Sequence, residues 1–448
     1  MAEAMWAGSA PGRLDVLGGV ADYSGSLVLQ TPIEATTRVR IAASPQAVIC
    51  AQSEDKRFEM PMAQANALRD AITPRDANAM LVRARLDDLQ VPLWARYPLG
   101  CLLLFSRAAQ WWPEHGLSLE IESDVPLSMG VSSSAALEIA TLRALEAMSG
   151  RPLEATRRAR LAQQAENEIV GAPCGLMDQL ASVYGVRGAL LPILCRPDIV
   201  FDAVALPSCA IVAGWPSGVK HAVADSPYAV ARASAFMGKK LLEAHFKRPL
   251  NYLTELSPSQ LRGTSESVLP HHMMGREWLE RFDHPDDEFS TIEKARLYPL
   301  RDGAAFPIEE NFRCELAMRL LSSTQNDKSN HDKSNHENAH AKPQDDVALR
   351  ERFSHKNFSH FDSQEPALRA LGELMFQSHA GYSTIGLGSR ETDAMVEAAR
   401  HMGPQNGIYG ARVSGGGSGG TVVVLLRRDA LSTLESLRKS FQTPDLIF

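Results

Sequence analysis

The segment Val125-Pro-Leu-Ser-Met-Gly-Val-Ser-Ser-Ser-Ala135 combines a proline, a glycine at position 130 and three consecutive serines, and it runs directly into a helical pattern. A helix start leaves backbone N–H groups unpaired and carries a partial positive charge, so it suits a phosphate. Glycine permits close approach of the backbone, while serine hydroxyls can cap a helix, hold phosphate oxygens or bind Mg²⁺. These residues alone leave two interpretations open, a serine helix cap and a phosphate-binding loop.

Two better-known nucleotide-binding patterns do not fit this chain. The Walker-A pattern G-x-x-x-x-G-K-S/T is absent from the whole sequence, which argues against a P-loop enzyme. The run Gly415–Gly420 contains G-x-G-x-x-G, but it precedes a strand-like segment instead of following a strand and opening a helix. A tight glycine-rich turn is therefore favoured, although it does not explain why five of these six residues are glycine.

Hydrophobic periodicity around these loops predicts a chain that mixes strands and helices. The predicted strands are Val39–Ala43, Leu117–Ile121, Ala189–Leu194 and Thr421–Arg427. The predicted helices are Ser132–Ser149, Leu153–Ile169, a helix-rich Asp225–Phe246, Glu365–His379 and Glu391–Met402. The stretch around Pro285–Ala304 is predicted to be rich in loops.

Length, charge and cysteine content exclude several classes of protein. At 448 residues the chain is long enough for two or three domains, and we place a boundary near 200–210, which gives domains 1–205 and 206–448. A net charge of −7 argues against a nucleic-acid binder or a polybasic membrane protein. The six cysteines lie far apart, and the N-terminus lacks a basic segment followed by an apolar run, so a cytoplasmic location is predicted.

A polar tract interrupts the second half of the chain. Asp327–His331 (DKSNH) is repeated at once as Asp332–His336, amid Asn, Ser and Gln. Such a tract cannot bury enough apolar area to offset its ordering entropy, so residues 323–345 are predicted to be a disordered insertion. Three histidines of the tract could bind a metal, but a solvated loop is the favoured interpretation. They are His331, His336 and His340.

Two acidic residues and one arginine suit phosphoryl transfer. Asp178 follows the loop-like Gly171-Ala-Pro-Cys-Gly-Leu-Met, and Glu166 lies twelve residues earlier on a predicted helix. Phosphoryl transfer needs a carboxylate to accept or orient the hydroxyl proton, and a magnesium ligand to neutralise phosphate charge. Arg13 could stabilise developing negative charge. For each residue taken alone, a helix cap, a solvated carboxylate or a surface cation is the ordinary interpretation.

Four segments, taken in order, are similar to the motifs of the GHMP kinase superfamily, in its galactokinase-like branch of sugar kinases. Pro11–Tyr23, Val125–Leu137 and Arg412–Gly420 resemble its first, second and third motifs, and Gly171–Gln179 (GAPCGLMDQ) resembles the segment around the catalytic aspartate. The resemblance implies an α+β, two-domain GHMP kinase fold. Its N-terminal domain is expected to resemble domain 2 of ribosomal protein S5, and its C-terminal domain a ferredoxin-like α/β sandwich.

The resemblance also implies roles for individual residues. Asp178 matches the catalytic base, and Arg13 matches the cation that assists proton loss beside the substrate. The ATP-binding positions are Gly130, Val131, Ser132, Ser133, Ser134 and Ala135. The Mg²⁺ ligands match Ser134 and Glu166, and the other sugar-binding positions match Asp22, Gly175 and Tyr228. The residues that match the supporting loop are Gly415, Gly416 and Gly417.

The first motif bears on the choice of sugar. Galactokinases have G-E-H-T-D-Y where this chain has Gly18-Gly-Val-Ala-Asp-Tyr23, so Gly19 and Val20 replace the Glu and His that engage the sugar, whereas Asp22 is retained. L-Arabinopyranose has the ring stereochemistry of galactopyranose but lacks the C6 hydroxymethyl group. A site with fewer polar groups fits the smaller sugar, because a buried acid or imidazole without its substrate partner carries a desolvation cost.

The activity that the resemblance implies is transfer of the γ-phosphoryl group of ATP, with Mg²⁺, to the anomeric hydroxyl of a monosaccharide. Gly12–Gln30, Ile308–Arg313 and Gly407–Thr421 resemble the L-arabinokinase group, so L-arabinose is the predicted acceptor. A galactokinase or a uronic-acid 1-kinase is the alternative, and a catalytically inactive sugar sensor is the alternative from another class. The expected partners are the sugar and ATP, with no nucleic acid and no membrane, and the expected state is a monomer or homodimer.

Overall fold

An eight-stranded mixed sheet occupies the N-terminal half of the protein. Its strands are β1 (Met5–Leu17), β2 (Leu27–Ser44), β3 (Val48–Ser53), β4 (Lys56–Pro61), β5 (Gly116–Ser123), β6 (Ala189–Leu194), β7 (Ile199–Val200) and β8 (Val204–Ala205). Strands β4-β3-β5-β2-β6-β7 lie side by side in that order, with β1 paired to β2 and β8 to β6. The pair β3–β5 is parallel, whereas β2 pairs antiparallel with β1, β5 and β6.

The computed structural model that shows this sheet describes most of the chain. It covers residues 4–54, 56–72, 79–172, 174–219, 227–264, 266–323 and 364–448. Within those ranges no helix is both long and apolar enough to cross a membrane. All six cysteines are free.

Helices pack against the large sheet around a shared apolar core. They are α1 (Met62–Ile72), α2 (Ala79–Asp88), α3 (Leu93–Ala109), α4 (Ser133–Ser149), α5 (Ala155–Gln164) with a following π-helical turn (Ala165–Val170), and α6 (Met177–Tyr184). Val39 and Ile41 of β2 belong to one buried cluster with Ile139 of α4. Gly8 of β1 allows α4 to approach closely, since a Cβ there would lie 2.1 Å from the Ala140 carbonyl oxygen. This contact fixes the position of α4 and of the loop before it.

A second, antiparallel sheet lies in the C-terminal half, in the order β12-β13-β9. Its strands are β9 (Ala210–Pro216), β12 (Ile408–Val413) and β13 (Thr421–Arg427), and β10 (Met273–Met274) pairs separately with β11 (Leu297–Tyr298). The helices are α7 (Pro227–Phe246), α8 (Pro258–Arg262), α9 (Gly275–Leu279), α10 (Leu300–Ser323), α11 (Gln364–Thr384), α12 (Arg390–Met402) and α13 (Leu431–Phe441). Leu14 and Leu29 share a buried cluster with Leu371, Val423 and Leu425, so both sheets contribute to one core.

Most elements predicted from the sequence are confirmed. All four predicted strands are present, two of them with the predicted bounds, and all five predicted helices are present within the described residues. The loop prediction around Pro285–Ala304 is wrong at its end, because α10 already begins at Leu300. Gly303 and Pro307 lower helix propensity there, but Leu300 and Ile308 are buried in a cluster with residues of α7, and this packing overrides propensity.

The domain organisation follows the two sheets. We propose a boundary between residues 205 and 206, because the large sheet ends with Val204–Ala205 and the second sheet begins with Ala210–Pro216. Apart from Ser323, the last residue of α10, the insertion predicted at 323–345 lies outside the described residues.

Candidate active site

A cavity of about 390 Å³ lies where β1, α6, α7 and the glycine-rich turn before β13 meet. Its wall includes eight residues that the sequence singled out. They are Arg13, Asp22, Glu166, Gly175, Asp178, Tyr228, Gly415 and Gly416. Residues more than 400 positions apart in the sequence therefore lie around one space.

Asp178, in the first turn of α6, is held by two neighbours. Arg13 donates to its Oδ1 from both Nε (2.9 Å) and Nη2 (2.8 Å). Ser132 Oγ donates to its Oδ2 at 2.6 Å. The remaining nitrogen of Arg13, Nη1, donates to the Gly130 carbonyl oxygen at 2.7 Å. Arg13 thus joins the candidate base to the loop before α4, and charge-assisted bonds of this kind are the strong ones.

The loop before α4 has the backbone of an anion-binding turn. Gly130 and Ser132 have φ of +70° and +59°, and α4 begins at Ser133. Ser132 occupies the position before the helix, yet its side chain makes no capping hydrogen bond to the helix backbone. The helix-cap interpretation is therefore wrong for Ser132, whose hydroxyl bonds Asp178 instead. The N–H groups of the first turn of α4 stay without a side-chain cap and suit an anion.

Close packing explains why the turn Gly415–Gly420 is so rich in glycine. Thr421 Oγ1 donates to the Met129 carbonyl oxygen at 2.7 Å, which brings the turn against the loop before α4. A Cβ at Gly415 would lie 3.0 Å from the Gly130 carbonyl oxygen, and a Cβ at Gly420 would lie 2.9 Å from the Met129 carbonyl oxygen. Both glycines also have positive φ. The tight turn predicted from the sequence is confirmed, and it lies directly beneath the loop before α4.

Glu166 and Ser134 form the candidate magnesium site. Glu166 lies in the π-helical turn and is buried at the cavity wall. Burial raises the pKa of its carboxyl to about 7, although a hydrogen bond with Ser134 lowers it. A divalent cation would offset that burial cost, and Mg²⁺ binds through one or two protein oxygens together with substrate phosphates. The two side chains fit that pattern. In the part of the chain that is described, no cluster of three His, Cys, Asp or Glu residues could hold a metal by itself.

Asp22 and Gly175 form the floor of the candidate sugar site. A Cβ at Gly175 would lie 1.6 Å from Asp22 Oδ2, so only glycine leaves room for this carboxylate. Burial, together with the charge of Asp178, raises the pKa of Asp22 to about 7, although Arg232 and the Tyr23 backbone N–H lower it. Tyr228 of α7 is half-buried at the same wall. The buried acid is a polar group ready to accept hydrogen bonds from a ligand.

The loop that carries Asp22 is held from behind by residues of the C-terminal half. Glu310 Oε1 accepts from the Gly18 N–H at 2.9 Å, and Asn311 Oδ1 accepts from the Leu27 N–H at 2.8 Å. Tyr382 Oη accepts from the Val20 N–H at 3.0 Å and donates to the Gly415 carbonyl oxygen at 2.8 Å. The Ile308–Arg313 segment singled out in the sequence therefore supports the loop at both ends.

Sequence reasoning missed two features of the site. Arg232 of α7 lines the main cavity, but a single arginine on a helix gives no sequence signal. Trp94 lines a second cavity of about 410 Å³, which reaches the loop before α4 at Val125 and the helix α4 itself at Ser133 and Leu137. No motif in the sequence distinguishes Trp94.

Comparison with known proteins gives two family matches. Residues 96–186 match the GHMP kinases N terminal domain, and residues 362–442 match the GHMP kinases C terminal domain. The chain is 30% identical to the L-arabinokinase of Arabidopsis thaliana over 97% of its own length, and it spans 44% of the length of that protein. It is 26% identical to the galactokinase of Homo sapiens, over 96% of this chain and 86% of that protein.

Solved structures show the same fold at lower sequence identity. The Lactococcus lactis galactokinase complexed with galactose superposes with a TM-score of 0.69 at 19% identity, over 98% of this chain and 89% of that one. The mevalonate kinase of Methanococcus jannaschii gives a TM-score of 0.54 at 15% identity, over 100% and 97% of the two chains. The predicted two-domain GHMP kinase fold is confirmed, and the chain carries the GHMP kinase N-terminal and C-terminal domains in that order.

Proposed function

We propose that the protein is an ATP-dependent sugar 1-kinase whose preferred acceptor is L-arabinose. The observation that carries the proposal is the Arg13–Asp178 pair, which faces the cavity and is bonded through Arg13 Nη1 to the Gly130 carbonyl oxygen of the phosphate loop. A candidate base at the junction of a ligand cavity and an anion-binding loop is what in-line phosphoryl transfer requires. The similarity to L-arabinokinase over nearly the whole chain supports the choice of sugar.

The bonds around Asp178 suggest which oxygen takes the proton. Oδ1 accepts two hydrogen bonds from Arg13, whereas Oδ2 accepts one from Ser132 and keeps a lone pair. Asp178 Oδ2 accepts the proton of the anomeric hydroxyl, whose oxygen then bonds to the γ-phosphorus. The bond from that phosphorus to the β–γ bridging oxygen breaks, and ADP leaves. Most of the acceleration comes from positioning and from fixed positive charge near the transferring group.

ATP occupies the groove that begins at the loop before α4. The residues proposed to hold its phosphates are Gly130, Val131, Ser132, Ser133, Ser134 and Ala135, with Gly415, Gly416 and Gly417 supporting the loop. The cavity beside Trp94 receives the nucleobase, because an aromatic ring next to a phosphate loop offers a stacking surface. Mg²⁺ bound by Ser134 and Glu166 would neutralise phosphate charge during the transfer.

The cavity favours a neutral sugar over a uronic acid. Each arginine among the described residues of its wall is already paired with a carboxylate. The pairs are Arg13–Asp178 at 2.8 Å, Arg232–Asp287 at 2.8 Å and Arg296–Glu293 at 3.0 Å. A sugar carboxylate would enter a wall that also carries Asp22 and Glu166, with no unpaired cation to receive it. The Tyr382 hydroxyl occupies the place that a side chain at position 19 would need, because a Cβ at Gly19 would lie 1.7 Å from Tyr382 Oη.

The experiment that tests this function is sugar-dependent release of ADP across a panel of sugars. L-Arabinose is expected to give the highest kcat/KM, above D-galactose and L-fucose, with D-galacturonate and D-glucuronate inactive. A clear preference for galactose would overturn the argument from Gly19 and Val20. Sugar binding without any stimulated ADP release would instead identify a sensor.

The cytoplasmic location and the monomeric or dimeric state stay predictions.

Sugar affinity is expected to depend on pH through Asp22. The ionised form of Asp22 accepts hydrogen bonds from sugar hydroxyls. Because the pKa of this side chain is about 7, the side chain is mostly protonated at pH 6 and mostly ionised at pH 8. The sugar Kd should therefore fall about tenfold from pH 6 to pH 8, measured by calorimetry without nucleotide or metal. In the Asp22→Asn variant this dependence should disappear. A wild-type Kd that is flat over this range would contradict an ionisable sugar ligand at position 22.

A further inference from the structure

Arg232 is a buried cation in the cavity wall that the proposed reaction does not yet use. It lies on α7 with 8% of its surface exposed. Its Nε and Nη2 donate to the two carboxylate oxygens of Asp287, both at 2.8 Å. Asp287 is held in turn by Ser290 Oγ at 2.6 Å. This fork-to-fork pairing fixes the plane of the guanidinium group.

Aromatic rings restrict the guanidinium further. Its central carbon lies 5.4 Å from the centre of the Tyr23 ring, 5.7 Å from that of Phe236 and 5.3 Å from that of Phe289. Tyr23 directly follows Asp22 in the loop of the candidate sugar site. The guanidinium therefore has one fixed orientation next to that loop, and a ligand would meet it without reorganisation.

The third nitrogen of Arg232, Nη1, donates no hydrogen bond within the part of the chain that the structure describes. Nη1 is buried, and no partner for it occurs among the residues that the structure describes. The Tyr228 hydroxyl lies near the guanidinium and interacts with its charge, but it does not lie in hydrogen-bond geometry to Nη1. Leaving a buried charged donor unmatched is costly. Since Arg232 lines the cavity, a ligand in that cavity is the natural acceptor.

We propose that Arg232 is a specificity-determining residue that binds the acceptor sugar, donating from Nη1 to the oxygen of a hydroxyl group that donates to Asp22. A sugar hydroxyl both donates and accepts, so an acid and a guanidinium on one wall can satisfy it from two sides. Because Asp287 neutralises Arg232, the nitrogen selects a neutral hydroxyl over a carboxylate. This inference rests on the proposed sugar kinase function and names a further residue of the same site.

The test uses a double variant that removes the buried ion pair together. Arg232→Met with Asp287→Leu leaves no unpaired buried charge, and such replacements are often tolerated. Circular dichroism and the thermal midpoint establish that the variant is folded. Its Kd for L-arabinose, measured by calorimetry, is expected to rise about 10- to 100-fold, as expected for losing a charged hydrogen bond. The Kd for ATP should change less than about twofold, because Arg232 does not line the cavity next to the phosphate loop.

Monodeoxy analogues of the sugar locate the contact. Removing the hydroxyl that Arg232 contacts should weaken binding to wild type about tenfold more than binding to the double variant, in which only the hydrogen bond to Asp22 remains to be lost. The control is Lys240→Gln with Asp286→Asn, which breaks a pair between the same helix and the residue next to Asp287, outside the cavity. It should leave sugar binding unchanged.

Three outcomes would overturn the inference. A folded double variant with wild-type sugar affinity excludes the contact. The contact is also excluded if each deoxy sugar loses the same factor in affinity for the double variant as it does for wild type. If wild type binds sugars without turning them over, the proposed reaction fails while the Arg232 contact is still measured by binding. If wild type binds none of the sugars, the reaction and the contact both fail.

Discussion

Replacing Asp178 by asparagine is expected to lower kcat by about 10²- to 10⁴-fold, the usual contribution of a general base. Asparagine keeps the shape of the side chain, and its carbonyl oxygen can still accept the two bonds from Arg13. The amide cannot accept the proton of the sugar hydroxyl, so only the transfer step is lost. Steady-state ADP release gives kcat, and calorimetry should show a sugar Kd within about threefold of wild type.

The matched control for this variant is Asp429→Asn. It makes the same chemical change at an aspartate whose side chain is 71% exposed and whose bond partner is Arg427 at the surface. Both kcat and the sugar Kd should be those of wild type, since exposed ion pairs contribute little. An Asp178→Asn protein that keeps kcat within about tenfold of wild type would exclude Asp178 as the base. Loss of sugar binding with kcat unchanged at saturation would assign it a binding role instead.

The sequence predicts the site where function depends on short local patterns. The serine loop, the GAPCGLMDQ segment and the glycine-rich turn each carry their chemistry within about ten residues, so their residues could be named before the fold was known. The structure supplies the relations among them. It shows that the Ser132 hydroxyl bonds Asp178 and leaves α4 uncapped, which no linear pattern distinguishes from an ordinary serine cap.

Residues that act through long-range contacts could not be found in this way. Tyr382 lies 362 positions from Val20, whose N–H it binds, and it occupies the space that a side chain at Gly19 would need. Arg232 is one of many arginines on helices, and only its bonds to Asp287 and its place in the cavity wall distinguish it. Pairings of this kind depend on how the two sheets are packed together, which hydrophobic periodicity does not specify.

The second large effect is expected at Gly175. An alanine Cβ would lie 1.6 Å from Asp22 Oδ2 and 2.4 Å from Asp22 Cγ, so the carboxylate must rotate away from its place in the cavity. Misplacing one binding group by about 1 Å can cost a factor of about 10². Gly175→Ala should therefore raise the Kd for L-arabinose about 100-fold or more, while ATP still binds with wild-type affinity. Calorimetry with each ligand separately measures both values.

Gly263→Ala is the control for the effect of adding a methyl group. Neither Gly175 nor Gly263 has the left-handed backbone that disfavours alanine, and a Cβ at Gly263 would meet the Gln260 carbonyl oxygen at an ordinary 3.6 Å. The control should bind sugar like wild type, because the two variants differ only in what the methyl group contacts. Wild-type sugar affinity in Gly175→Ala would mean that Asp22 has room to move and does not bind the sugar. Equal losses for sugar and ATP would indicate a general disturbance of α6, and the assignment of Asp22 to the sugar would then lose its support.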